Sequence, residues 1–117
     1  MSRKRILIAE RRSRVRFALR TLLQQHEELE IVGESANAES VLAQVQARCP
    51  DLLLLDWDLP GIATTNLVTT VHALCPSLPV VVLSGRLDQR QAALEAGANS
   101  YLSKTEPPER LLEAIGG

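Results

Sequence analysis

The sequence predicts an α/β domain: one parallel sheet of five strands with helices on both faces. Three observations carry this. Two runs, "DLLLLD" and "VVVLSG", are apolar without alternation, as strands buried on both faces are. Segments with apolar residues at helical spacing alternate with the strand candidates five times over. The connections are too short for a second domain, and successive parallel strands need such helical crossovers. Residues 1–117 are therefore read as a single domain.

In chain order, Ile6 to Ala9 is the first strand. Ser13 is placed to cap a helix carrying Val15, Ala18, Leu19, Leu22 and Leu23 on one face, with Arg14, Arg16 and Arg20 mostly off it. "EIVGES" is a second, shorter strand. Asn37 then caps a helix with Ala38, Val41, Leu42 and Val45 on one side, and Pro50 ends it. "DLLLLD" is the central strand, "LPG" a turn, and Thr64 to Leu74 a helix bearing Leu67, Val68, Val71 and Leu74. Pro76 and Pro79 bracket the way into "VVVLSG". "LDQRQAALEAG" reads as a short helix, capped by Asp88 and stopped by Gly97. "SYL" is the last strand, and Pro107 and Pro108 open a final helix, "ERLLEAI", where proline is tolerated.

The composition is 45% hydrophobic and 23% charged, ordinary for a globular chain. Phe17, Trp57 and Tyr101 are the only aromatics, so the core is aliphatic. No run approaches the ~18 apolar residues of a membrane span, and "ILIA" is too short for a signal-peptide core. The expectation is a cytoplasmic domain without membrane contact. A net charge of −1 argues against the whole domain binding polyanions. Eight of the thirteen Lys and Arg residues fall in the first twenty positions, but no interleaved aromatic or reading helix accompanies them. They are read as a solvated helix face. Cys49 and Cys75, in "ARCPD" and "ALCPS", lack metal-ligand spacing and are read as buried structural thiols in a reducing compartment. His26 and His72 are read as incidental surface residues.

Sites in parallel sheets lie outside the carboxyl ends of the strands. Those ends are Glu10–Arg12, Asp56–Asp58, Ser84–Arg86 and Ser103–Thr105. They hold a carboxylate (Asp56), a hydroxyl (Ser84) and an ammonium (Lys104), a set suited to phosphoryl chemistry. A carboxylate can attack phosphorus, while a lysine and a hydroxyl bind the transferred oxygens. A phosphoryl group carries about two negative charges near neutral pH, so a cation must meet it.

At these residues the sequence resembles a known family. "LLLLDWDLPG", "VVVLSG" and "AGANSYLSK" are similar, in order and spacing, to the receiver (CheY-like) domain of two-component response regulators. The "YLSK" ending resembles receivers of the type that often precedes a LuxR-like helix-turn-helix domain. The resemblance implies a flavodoxin-like, doubly wound sheet of strand order 2-1-3-4-5 and a signalling role rather than an enzymatic one. It implies Asp56 as phosphoacceptor, Lys104 as the lysine contacting the phosphoryl group, Ser84 as the switch hydroxyl and Tyr101 as the aromatic that changes rotamer. Glu10 and Arg11 occupy the place of the acidic pair that, with Asp56 and the backbone carbonyl of Asp58, holds Mg²⁺. Gly85 would leave the acceptor open to a donor. The implied partners are a sensor histidine kinase or phosphotransfer protein, and a second copy in a homodimer. DNA is implied only through an output domain outside this chain. Leu87, Gln91 and Tyr101 mark the expected contact face. "EAIGG" stands where a receiver's last helix often continues, which fits either an excised domain or a stand-alone protein.

Arg11 departs from that pattern, since a guanidinium removes a ligand and adds a charge that repels Mg²⁺. Three outcomes are open: the side chain opposes the metal, turns outward and leaves Glu10 and Asp56 to a weak metal, or pairs with Asp56 in its stead. "GIATTN" lacks the family's Asp-Gly after the turn. Arg86 and Asp58 are placed to pair over Asp56. Plainer readings stand beside these: Trp57 shielding the strand end, Tyr101 as a half-buried strand aromatic, and Ser84 or Asp56 as turn caps. Two alternative functions remain, a phosphorylation-independent pseudo-receiver acting through protein contacts and an aspartate-nucleophile phosphohydrolase. The hydrolase reading suffers from Pro60 after the Asp-x-Asp and from the motif following the third strand rather than the first.

Overall fold

A computed structural model describes residues 3–86 and 88–116. The elements run β1 (Lys4–Ala9), α1 (Ser13–Gln24), β2 (Leu29–Ser35), α2 (Ala38–Ala47), β3 (Leu52–Asp56), α3 (Thr64–Leu74), β4 (Val80–Ser84), α4 (Arg90–Glu95), β5 (Ser100–Ser103) and α5 (Pro108–Gly116). The strands form one sheet in the order β2-β1-β3-β4-β5, all parallel. The expected flavodoxin-like topology is therefore present.

Alternate residues of the central strands serve two cores. Leu7, Leu53, Leu55, Val80 and Val82 pack with α2, α3 and α4 on one face. Ile6, Ile8, Leu52, Leu54, Val81 and Leu83 meet Leu23 of α1 and Leu111 and Ile115 of α5 on the other. Burial on both faces is why β3 and β4 read as unbroken apolar runs. A polar side chain at the end of such a strand inherits that burial, which brings Asp56 and Ser84 inside.

Several local expectations change. Arg12, not Ser13, is the N-cap of α1 and makes no side-chain cap bond, so Ser13 is simply the first helical residue. Asp88 lies in the turn before α4, whose N-cap is Gln89. Ala18 is exposed, and Leu74 is 39% exposed at the end of α3. The basic face of α1 is not merely solvated: Arg16 Nε and Arg20 Nη1 lie 3.6 and 2.6 Å from the Glu34 carboxylate on β2. Asn37 caps α2 as expected, accepting the Ser40 N–H at 2.9 Å. His72 is structural, its Nε2 lying 2.8 Å from the Leu78 carbonyl oxygen.

The cysteines depart furthest from expectation. Cys49 and Cys75 are joined in a disulfide, with Cα atoms 6.0 Å apart. Helices α2 and α3 pack side by side on one face of the sheet, so their C-terminal ends bring the two sulfurs together. Buried free thiols were expected from an assumed reducing compartment; the sulfurs are instead bonded, and Cys49 is exposed while Cys75 is buried.

Candidate functional site

Main-chain pairing continues one residue past three of the strands. The Glu10 N–H donates to Ser35 O (2.9 Å), Trp57 N–H to Leu83 O (2.9 Å) and Lys104 N–H to Ser84 O (2.8 Å). These bonds fix the directions in which Glu10, Asp56 and Lys104 leave the sheet, so the three side chains converge.

Asp56 is fully buried at its side chain. Its Oδ1 accepts from Lys104 Nζ at 2.8 Å and from the Asp58 N–H at 3.0 Å. Its Oδ2 accepts the Arg11 N–H at a longer 3.3 Å. Burial pushes this carboxyl up, but the Lys104 hydrogen bond, the Asp58 N–H, the Lys104 charge and the Arg11 N–H together hold it below the ordinary carboxylate value. Asp56 is thus an anion at neutral pH, with one oxygen tightly held and the other less so.

Glu10 is equally buried, with one oxygen hydrogen-bonded and the other in an ion pair only. Oε2 accepts the Arg12 N–H at 2.8 Å. Lys104 Nζ stands 2.8 Å from Oε1 as an ion pair without hydrogen-bond alignment. Lys104 therefore bridges the two buried carboxylates while remaining 16% exposed.

The direction of Arg11 is now determined: it points inward. Nε lies 3.5 Å from Asp56 Oδ2 and Nη2 lies 3.8 Å from Asp58 Oδ2. Arg86 Nη2 meets the other Asp58 oxygen at 3.4 Å, the pairing expected between the two strand ends. Ser84 is buried, and its Oγ accepts the Arg86 N–H at 2.9 Å. Tyr101 is buried too, donating its hydroxyl to the Arg86 carbonyl, with Trp57 edge-on at 6.3 Å between ring centres. A Cβ added at Gly85 meets nothing within 4 Å, so the approach beside Ser84 is open.

The sequence-predicted residues Glu10, Arg11, Asp56, Asp58, Ser84 and Lys104 thus gather in one place, with Tyr101 one contact away through Arg86. Gln91 is exposed on α4, hydrogen-bonded to Glu95 at 3.1 Å. Leu87, the third residue of the expected contact face, lies outside the described residues. The reading missed the main chain of Arg86, which both switch candidates hold. A serine oxygen taking the N–H two residues on is a recognised turn, so "SGR" carried half of that signal.

The sequence signature of the response regulator receiver domain matches residues 6–116. The chain belongs to that family. It is 31% identical over 111 residues to the uncharacterized transcriptional regulatory protein YhcZ of Bacillus subtilis, covering 93% of this chain and 52% of that protein. The response regulator protein VraR of Staphylococcus aureus is 27% identical over 116 residues, covering 95% of this chain and 54% of VraR. A CheY-like receiver domain protein from Methanospirillum hungatei superposes with a TM-score of 0.85 at 30% identity, covering 98% of this chain and 92% of that one. This receiver domain spans about half the length of the curated relatives it matches. Its role is that of a response-regulator receiver in two-component signal transduction. Such domains are typically non-enzymatic, and they interact with histidine kinases or phosphotransfer proteins.

Receiver domains commonly bind Mg²⁺ at this acidic pocket. The side chains of this receiver do not fit it. Among the described residues no three His, Cys, Asp or Glu side chains gather as a metal-holding group. The Arg11 guanidinium spans Asp56 and Asp58, and Glu10 is turned to Lys104 and the Arg12 N–H. Unit charges ~4 Å apart at an effective dielectric near 20 interact by about 4 kcal/mol, and a divalent ion facing a guanidinium doubles that repulsion. The Asp58 side chain is held by two guanidinium groups.

Proposed function

We propose that Asp56 is the phosphoacceptor of this receiver, taking a phosphoryl group from a sensor histidine kinase or phosphotransfer protein. The observation that carries this is the Asp56 carboxylate itself: buried, held anionic, and tightly bonded through only one of its oxygens. Attack on phosphorus needs an anion with an available lone pair. Lys104, already 2.8 Å from Oδ1, binds the transferred oxygens and offsets the charge they bring.

Ser84 and Tyr101 then act as the switch through Arg86. If the Ser84 hydroxyl turns to the phosphoryl group it releases the Arg86 N–H, and the turn that Tyr101 also holds becomes free to move. The movement is read at the α4–β5 surface by a partner protein, a second copy of the chain, or an output domain that contacts DNA. Residues 1–117 act in this as one domain, in the cytoplasm, as a switch rather than a turnover enzyme. No helix among the described residues is long and apolar enough to cross a membrane.

Intact-mass analysis after incubation with acetyl phosphate tests the acceptor. One hydroxylamine-sensitive phosphoryl adduct is expected on the wild-type chain and none on Asp56→Asn. An adduct that persists in Asp56→Asn excludes Asp56, and turnover of a small phosphate ester would point to a hydrolase instead.

A further inference from the structure

We propose that Arg11 takes the electrostatic place of a divalent cation at Asp56, so that this receiver accepts phosphate without metal and the guanidinium meets the incoming phosphoryl oxygens. The inference rests on Asp56 being the acceptor. It goes beyond that reading by assigning the charge-neutralising group to the protein itself.

Geometry supplies the first support. The Arg11 N–H and Nε both approach Asp56 Oδ2, at 3.3 and 3.5 Å, and Nη2 reaches Asp58 at 3.8 Å. One planar cation therefore bridges two carboxylates at the mouth of the site. Charge supplies the second. Glu10, Asp56 and Asp58 oppose Lys104, Arg11 and Arg86, three anions against three cations. The unmodified site is balanced, and a divalent ion would leave it doubly positive beside a fully buried acceptor.

Reach is the third. The Arg11 side chain is 37% exposed on a flexible stem, and its contacts to Asp56 are long enough to be exchanged for shorter ones. A guanidinium presents paired N–H donors that match two phosphoryl oxygens at once. Because Oδ1 is held by Lys104 and the Asp58 N–H, Oδ2 is the attacking atom, and it lies on the Arg11 side. A lone pair of Oδ2 forms the new O–P bond. With acetyl phosphate as donor the P–O bond to the acetyl group breaks, acetate leaves with the bonding pair, and no proton moves. Asp56 passes from one negative charge to two, and Arg11 and Lys104 share the added charge.

The test measures phosphoryl incorporation from acetyl phosphate by intact mass, in EDTA and in Mg²⁺, beside a Mg²⁺ titration followed by Trp57 fluorescence. The wild type is expected to label equally in both buffers and to show no fluorescence response to Mg²⁺. Arg11→Gln, which removes the charge and shortens the side chain while keeping a polar amide, should label at least about tenfold more slowly in EDTA and gain nothing from Mg²⁺. Arg11→Asp should lose metal-free labelling, regain it in Mg²⁺ and acquire a Mg²⁺-dependent fluorescence change. Wild-type labelling that requires Mg²⁺ overturns the inference and leaves Asp56 as acceptor. Arg11→Gln labelling as fast as wild type in EDTA also overturns it. A wild type that labels in neither buffer while Arg11→Asp labels in Mg²⁺ makes Arg11 an occluding group, again against the inference. No labelling in any variant or buffer removes both the acceptor reading and this one.

Discussion

Asp56 couples the site to the stability of the fold. Burial disfavours its charge, yet Lys104 and two main-chain N–H groups reverse the balance and hold it below the ordinary value of about 3.9. As pH falls, the unfolded chain therefore takes up this proton before the folded one does. The stabilisation is complete above about pH 5 and is lost as pH drops through the unfolded value toward the lower folded one. Urea midpoints recorded from pH 7 down to pH 3 should fall, and Asp56→Asn should flatten that decline. An unchanged slope in the variant would assign the acid sensitivity elsewhere. At this scale the sequence was legible where a chemical group ends an apolar strand: Asp56, Ser84 and Lys104 were all found that way. Arg11 was found by position, but its direction was not, because a long stem allows either orientation and only the neighbouring carboxylates decide. The joining role of Arg86 lies in its main chain, which no residue type announces.

Among the elements, the β3–α3 connection bears the most on the site, because it carries Asp58. Gly61 adopts φ +120°, and a Cβ there would stand 2.9 Å from the Ala38 Cβ at the start of α2. The Pro60 carbonyl accepts the Ala38 N–H at 2.8 Å, so this loop and the first turn of α2 are built against each other. Gly61→Ala should cost about 1–3 kcal/mol in denaturant unfolding, from the backbone conformation and the contact together. Asn37→Ala, which removes only the cap of that helix, should cost about 1 kcal/mol. A Gly61 variant no worse than the cap variant would show that the loop relaxes freely. The absence of Asp-Gly in "GIATTN" thus left the turn intact, since "LPG" had already supplied its glycine. Helix spans were legible where an apolar stripe is broad, as in α3, found from Thr64 to Leu74. Caps were legible only where a side chain makes the bond: Asn37 does, whereas Ser13 and Asp88 stand at helix starts that use main chain alone.

At the scale of the whole molecule, the Cys49–Cys75 bond adds a restraint that the sheet topology makes feasible and the sequence alone did not reveal. Closing a loop across a sequence separation of 26 corresponds to about 3.5 kcal/mol in the chain-entropy account. The urea midpoint of the wild type should therefore fall on adding reductant, and Cys49→Ser should be less stable than the oxidised chain and indifferent to reductant. Equal midpoints in all three cases would mean that the folded state loses as much strain as the unfolded state gains freedom. The same bond has an analytical consequence. No lysine or arginine occurs between Arg48 and Arg86, so trypsin releases Cys49 to Arg86 as one fragment. That fragment holds both sulfurs, Asp56 and Ser84, and the bond closes a covalent ring around the carboxylate. Its mass rises by two hydrogens when the ring is opened and by one phosphoryl group when the carboxylate is loaded. A single spectrum thus records whether a given molecule was cross-linked, charged with phosphate, or both, and whether the two states exclude each other.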